Sequence, residues 1–264
     1  MDEKVLDGAL VRGIDQMESG DVRGAIETLE GYRSEHKDSF DACFYLGDAL
    51  AEDGRIDDAI ARYREGLALA PDDIDALTTL GDLLFEAGRH DEAIASYTRV
   101  RELDPDDADA LVSIGLVYNN REQSDRAIDS FRQALEIDPE NVFALNALGD
   151  ALYGLEDVEG AVGAYRKAVE IDPDDPAVHF NLGEMYYDME ELEEAEKECR
   201  KAIELDPAFT MAYLTLGGIC MDQERLRDAV RYFENYLKYE KSQQAADMIV
   251  EVRAVIDGLK AELD

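Results

Sequence analysis

The chain has 264 residues, 46% of them hydrophobic, which is ample apolar material for a core. It carries 26 basic against 63 acidic side chains, a formal net charge of −37 at pH 7. That balance argues against nucleic acid as a partner and excludes an anionic membrane surface, because both are gripped by Lys and Arg neutralising phosphate.

One spacing organises everything that follows. Glycine recurs every 34 residues at Gly13, Gly47, Gly81, Gly115, Gly149, Gly183 and Gly217. Alanine keeps the same beat at Ala25, Ala59, Ala93, Ala127, Ala161, Ala195 and Ala229, and proline closes the cycle at Pro71, Pro105, Pro139, Pro173 and Pro207. A fixed period between about 20 and 50 residues marks a stacked array. The first unit, residues 6–39, keeps Gly13, Gly20 and Ala25 but has Arg12 where a leucine is expected and Lys37 in place of the proline. Terminal repeats depart from the pattern because one of their faces meets water.

Regular units follow at residues 40–73, 74–107, 108–141, 142–175 and 176–209. In Ile74–Asp107, Leu77, Leu80 and Leu84 fall on one face of a helix, with Gly81 completing the stripe. Gly88 and Arg89 break that helix, and Asp91 is expected to cap a second one presenting Ala93, Ile94, Tyr97 and Val100. Pro105, preceded by Asp104, stops it, since proline lacks an N–H and restricts its predecessor. Each unit is therefore predicted to be a helix–turn–helix hairpin. The seventh unit, 210–243, keeps Tyr213, Leu216, Gly217, Ala229 and Phe233 but has Lys241 at the proline position. The apolar series Ala245, Ile249, Val252, Ile256 and Leu259 then predicts a final helix over about 244–260. It reads either as a cap on the last hairpin or as a seam for self-association. No linker or second domain is expected; residues 1–264 read as one solenoid.

Leu80-Gly81, Ala93, Tyr97 and Pro105, with their equivalents along the chain, make this sequence resemble the tetratricopeptide repeat (TPR) family; Val100 stands where that family favours alanine. The resemblance runs from about Leu6 to Gln243. It implies an all-α, right-handed superhelical solenoid of helix–turn–helix repeats with a C-terminal capping helix, and a non-catalytic role in binding other proteins.

No other chemistry stands out. The acidic turns, such as Asp104-Pro105-Asp106-Asp107, lack the glycine and glutamate spacing of a calcium loop and are explained as helix-end and N-cap acids. Cys43, Cys199 and Cys220 fall at core positions in acidic surroundings, with neither disulfide nor zinc spacing. His179 also falls at a core position, while His36 and His90 sit near turns, and no pair has metal-ligand spacing. The expectation is no enzyme, no cofactor and no metal. Met1-Asp2-Glu3-Lys4 does not open a signal peptide, and no apolar run is long enough to span a membrane, so a cytoplasmic location is expected. Only 8 of the basic residues are Lys and 18 are Arg. An Asp-rich, Lys-poor surface fits either a salt-rich cytoplasm, where screening tames self-repulsion, or ordinary acidic solubility.

Function is expected on the face of each first helix opposite its packing stripe. The resemblance makes that face the groove in which peptides or partner helices lie. In repeats two and three it carries Asp41, Phe44, Asp48, Asp75, Asp82 and Phe85, an acidic set without a basic residue. In repeats five to seven it carries Phe143, Asn146, Asp150, Tyr153, Phe180, Glu184, Tyr187, Met211, Leu214 and Met221, an aromatic and Met-rich set. Some of these side chains could instead pack on the neighbouring helix. The Lys, Asn and Arg clamp of chaperone-docking TPR domains is absent: Asn181 matches one position, but Asn146 and Asp150 stand where Lys and Asn would be. The expected ligand is a basic or mixed basic–apolar segment of another protein. The alternatives are a self-assembling scaffold, joined through the C-terminal helix, and a regulatory subunit of a separate enzyme.

Overall fold

The computed structural model describes residues 8–263. The expected repeat start at Leu6 and the amino-terminal Met1-Asp2-Glu3-Lys4 lie outside them. The described residues form fifteen α-helices and one short 3-10 turn, with no strand among them. The helices come in pairs: α1 (Gly8–Glu18) with α2 (Val22–Glu35), α3 (Phe40–Glu52) with α4 (Ile56–Leu69), α5 (Ile74–Glu86) with α6 (His90–Leu103), and α7 (Ala108–Asn120) with α8 (Ser124–Ile137). Then follow α9 (Val142–Tyr153) with α10 (Val158–Ile171), α11 (Pro176–Asp188) with α12 (Leu192–Leu205), and α13 (Thr210–Asp222) with α14 (Leu226–Tyr239). The turn Gln243–Ala245 leads into α15 (Ala246–Leu263). This is an all-α repeat solenoid.

Local chemistry sets the boundaries. In the second to sixth pairs the first helix starts where a short polar side chain caps it: Asp73 accepts from the Ala76 N–H at 2.9 Å, Asp107 from Ala110 at 2.9 Å and Asn141 from Ala144 at 2.8 Å. Asp91 does not cap α6, contrary to the sequence expectation. The helix begins behind Arg89, which makes no side-chain cap. Asp91 lies in the first turn, where a carboxylate favours the helix dipole, and accepts from Arg121 instead. The turn inside each pair passes through one left-handed residue. It is Gly20, Gly54 and Gly88 in the first three repeats and Glu122, Glu156, Glu190 and Glu224 in the last four.

Two compact units make up the chain, the first ending at Ile137 and the second beginning at Asp138. In the first, every helix packs on its successor from α1 to α8. Its core joins Leu10, Leu29, Leu46, Ile60, Tyr63, Leu84 and Tyr97. Gly81 lets α5 and α6 approach, since a Cβ there would fall 2.4 Å from the Tyr97 ring. In the second unit the same succession runs from α9 to α15. Cys199, Leu216, Phe233 and Tyr236 lie in its core, which Val252, Ile256 and Leu259 of α15 cover at the end of the stack. Each such apolar side chain withdrawn from water contributes about 1.5–3 kcal/mol before the entropy of ordering is counted.

Candidate functional site

The groove positions of the first unit lie on α3 and α5. Asp41, Phe44, Asp48 and Asp75 are brought together around one pocket of about 360 Å3, which Tyr45 and Tyr63 also line. Phe44 is not a free groove side chain: it is half-buried, packs against the core and stacks on Tyr63 with ring centroids 5.4 Å apart. Phe85 is likewise half-buried. Asp48 accepts a hydrogen bond from the Tyr63 hydroxyl, and Asp82 accepts one from Tyr97 at 2.6 Å. These acids are therefore struts between paired helices as well as groove residues. Burial raises the Asp48 carboxyl above the ordinary aspartate range, and the Tyr63 hydrogen bond opposes that.

In the second unit Phe143, Tyr153, Met211 and Met221 expose 61%, 42%, 50% and 39% of their surface, so the apolar groove residues face solvent. Phe180 and Leu214 are half-buried against the core, and Phe180 packs on Phe209 at 5.2 Å. Asp150 accepts from Tyr165 at 2.5 Å, repeating the strut of the first unit. The groove tyrosines link successive repeats: the Tyr153 hydroxyl donates to Asp188, and that of Tyr187 to Asp222 at 2.8 Å. Burial and that bond to Asp222 push the Tyr187 phenol up to about 12. Glu184 has no tyrosine strut, because Cys199 stands where repeats two to five and seven have an aromatic ring. It accepts from Thr215 at 2.5 Å instead. The amide oxygen of Asn146 is buried without a hydrogen-bond partner.

Family comparison matches residues 10–74 and 78–142 to the description "Tetratricopeptide repeat", 149–190 to "TPR repeat" and 176–209 again to "Tetratricopeptide repeat". The chain belongs to the tetratricopeptide repeat family. No curated protein matches it in sequence. Among solved structures, one of MamA is 26% identical, with a TM-score of 0.56 over 61% of this chain and 94% of that one. A TPR protein from Parabacteroides merdae is 18% identical, with a TM-score of 0.70 over 94% and 97% of the two chains. YrrB, described as a TPR protein with an unusual peptide-binding site, is 24% identical, with a TM-score of 0.54 over 72% and 97%. The TPR fold and these neighbours support a protein–protein interaction scaffold.

A feature that the sequence reading missed is a cavity of about 720 Å3 beside α12 of this TPR chain, lined by His179, Glu196, Glu198, Lys197, Arg200 and Lys201 among others. The His179 ring faces acceptors on both nitrogens, Glu198 at 2.7 Å and the Pro173 carbonyl at 3.0 Å. Lys197 bonds Glu198 at 2.8 Å and Arg200 pairs with Glu196 at 2.5 Å, so these four lining charges are paired with one another. Burial pushes the thiols of Cys43, Cys199 and Cys220 up, away from nucleophilic character. Among the described residues, no group of three His, Cys, Asp or Glu side chains is placed to hold a metal ion, and no helix is long and apolar enough to cross a membrane.

Proposed function

We propose that this TPR chain is a scaffold that holds a basic or mixed basic–apolar segment of a partner protein on its groove faces. The observation that carries the reading is the division of groove chemistry. Four aspartates, Asp41, Asp48, Asp73 and Asp75, surround the first unit's pocket with no basic residue lining it. The second unit exposes Phe143, Tyr153, Met211 and Met221. Like-signed clefts speed the arrival of an opposite charge, whereas buried aromatic anchors set how long a partner stays. Asp48→Asn with Asp82→Asn should therefore slow association and flatten its salt dependence. Tyr153→Ala with Tyr187→Ala should mainly speed dissociation, by about 2 kcal/mol or more if both are hot spots. The test is surface-plasmon kinetics with a partner recovered by affinity capture. Parent-like kinetics in both double variants would move the site off the groove.

A second reading is self-association through α15, which leaves Met248, Val250 and Val255 at 41%, 65% and 37% exposure. Light scattering across a concentration and salt series separates the two. A stable monomer that still binds the partner rejects self-assembly.

A further inference from the structure

The pocket between α3 and α5 departs from the repeat in a concerted way. The strut from a second-helix tyrosine to a first-helix aspartate recurs as Tyr63–Asp48, Tyr97–Asp82 and Tyr165–Asp150, so that pair belongs to the scaffold. What is particular to the second repeat is two adjacent rings set over a glycine; the sixth repeat keeps the first ring as Phe180 but has Asn181 and Ala202 in the other two places. Phe44 and Tyr45 stand where the third repeat has Thr78 and Thr79. Gly66 stands where the next repeats have Val100, Ala134 and Ala168. The two changes belong together: a Cβ on Gly66 would lie 2.3 Å from Cε1 of Phe44, so the missing side chain is the space that seats the ring. Around that ring stand Asp41, Asp48 and Asp75, with Tyr63 stacked behind at 5.4 Å.

A cavity of about 360 Å3 with aromatic walls, four carboxylates (Asp41, Asp48, Asp75 and the α5 N-cap Asp73) and no basic side chain in its lining has the chemistry of a cation socket. Asp48 sharpens this. Its carboxylate is desolvated, its internal partner is a neutral phenol, and a guest cation would supply the charge that burial has taken from water. A planar guanidinium suits the place better than an ammonium, since it stacks on rings while its fork of N–H donors reaches carboxylates on either side. We propose that this pocket receives an arginine side chain of the bound segment, an inference that rests on the groove reading above and narrows it to one residue type at one place.

The test uses the full chain and three short peptides, acetyl-Gly-Gly-Arg-Gly-Gly-amide and its lysine and citrulline analogues, titrated while the ring resonances of Phe44, Tyr45 and Tyr63 are followed by NMR. Saturable shifts of these rings are expected with the arginine peptide. Affinity for the lysine peptide should be several-fold weaker. The citrulline peptide, which keeps the shape and loses the charge, should be weaker by about tenfold. Asp48→Asn with Asp75→Asn should weaken the arginine peptide to a similar degree; the amide that replaces the Asp48 carboxylate still offers the Tyr63 hydroxyl an oxygen, so the fold is retained. Gly66→Ala should displace the Phe44 ring and reduce affinity without changing any charge. Asp129→Asn, at an exposed position of α8 outside the groove residues, should change affinity less than about twofold, as surface substitutions away from a site do.

Absence of saturable ring shifts, equal binding of citrulline, or lysine binding as tightly as arginine each overturns the proposal. The groove reading is judged separately, by partner kinetics in the Tyr153→Ala and Tyr187→Ala chain. A partner that depends on those tyrosines while the arginine peptide fails rejects the socket alone.

Discussion

Gly149→Ala tests the register on which the whole assignment rests. A Cβ at Gly149 would lie 2.6 Å from Cζ and 2.7 Å from Cε1 of Tyr165. Carbon atoms rest about 3.5–4.0 Å apart, so the ring must retreat by about 1 Å. That ring is 2% exposed, and its hydroxyl donates to Asp150 at 2.5 Å. Retreat therefore strains the packing behind it and loosens the strut. Overpacking costs about 1–3 kcal/mol and a weakened hydrogen bond about 0.5–1.5 kcal/mol. Alanine's better helix propensity offsets about 0.5–1 kcal/mol of this. The expected result is a net loss of about 1–3 kcal/mol, seen as a lower urea midpoint by circular dichroism. Gly163 is the control: a Cβ there meets nothing within 4 Å, so Gly163→Ala carries the propensity gain alone and should raise the midpoint. Removing the ring as well, in Gly149→Ala with Tyr165→Leu, should cost less than the sum of the two single changes. A Gly149→Ala midpoint at or above the parent's would refute the placement of Gly149 beneath the Tyr165 ring.

Other outcomes follow from features already described. Glu156 sits at φ 63, a left-handed conformation that costs an ordinary residue about 1–2 kcal/mol, so Glu156→Gly should stabilise the chain by roughly 0.5–1 kcal/mol once glycine's unfolded-state freedom is deducted; an unchanged urea midpoint would count against strain there. Burial opposes the charge of Glu198, but hydrogen bonds from Lys197 and His179 prevail and hold its carboxyl below the usual glutamate range. Its stabilisation is therefore present above the unfolded glutamate value and is lost as pH falls through the lowered one, so Glu198→Gln should flatten the acid side of a stability–pH curve measured by urea titration. Melting temperature should climb between dilute buffer and molar KCl if the −37 charge is a high-salt adaptation, because screening weakens repulsion more widely than it weakens exposed pairs such as Arg99–Asp72 at 2.7 Å. A flat profile would favour plain solubility.

The helices were readable in the sequence because a 34-residue beat repeats the same stripe seven times, and Leu80, Gly81, Ala93 and Tyr97 are the residues that meet in the core. Boundaries set by local hydrogen bonds were harder. Asp91 has the chemistry of a cap, yet the true caps Asp73 and Asp107 stand one residue before each first helix, whereas Asp91 is drawn to an arginine of the next pair. Groove positions could be counted, since helical periodicity places Asp41, Phe44, Asp48 and Asp75 on one side of their helices, and the structure gathers these four at one pocket. Their partners could not. The bond from Tyr63 to Asp48 spans two helices, and that from Tyr153 to Asp188 spans two repeats. Phe44 reads as a groove side chain by count but lies half-buried, because Gly66 clears a seat for it from another helix. The Glu residues at left-handed turns were equally hidden, since glycine marks that position only in the first three repeats.

The links from Tyr153 to Asp188 and from Tyr187 to Asp222 have a mechanical meaning. Each joins one residue of a repeat to the residue one place further on in the next, along a single edge of the second unit's groove. A guest that wedges neighbouring first helices apart must stretch these tethers, whereas one that lies flat across the rings leaves them slack. The tethers thus act as a row of springs linking successive first helices. Tyrosine against phenylalanine at residues 153 and 187 is then a setting for stiffness, and evolution or a designer could loosen the unit one repeat at a time without touching its core.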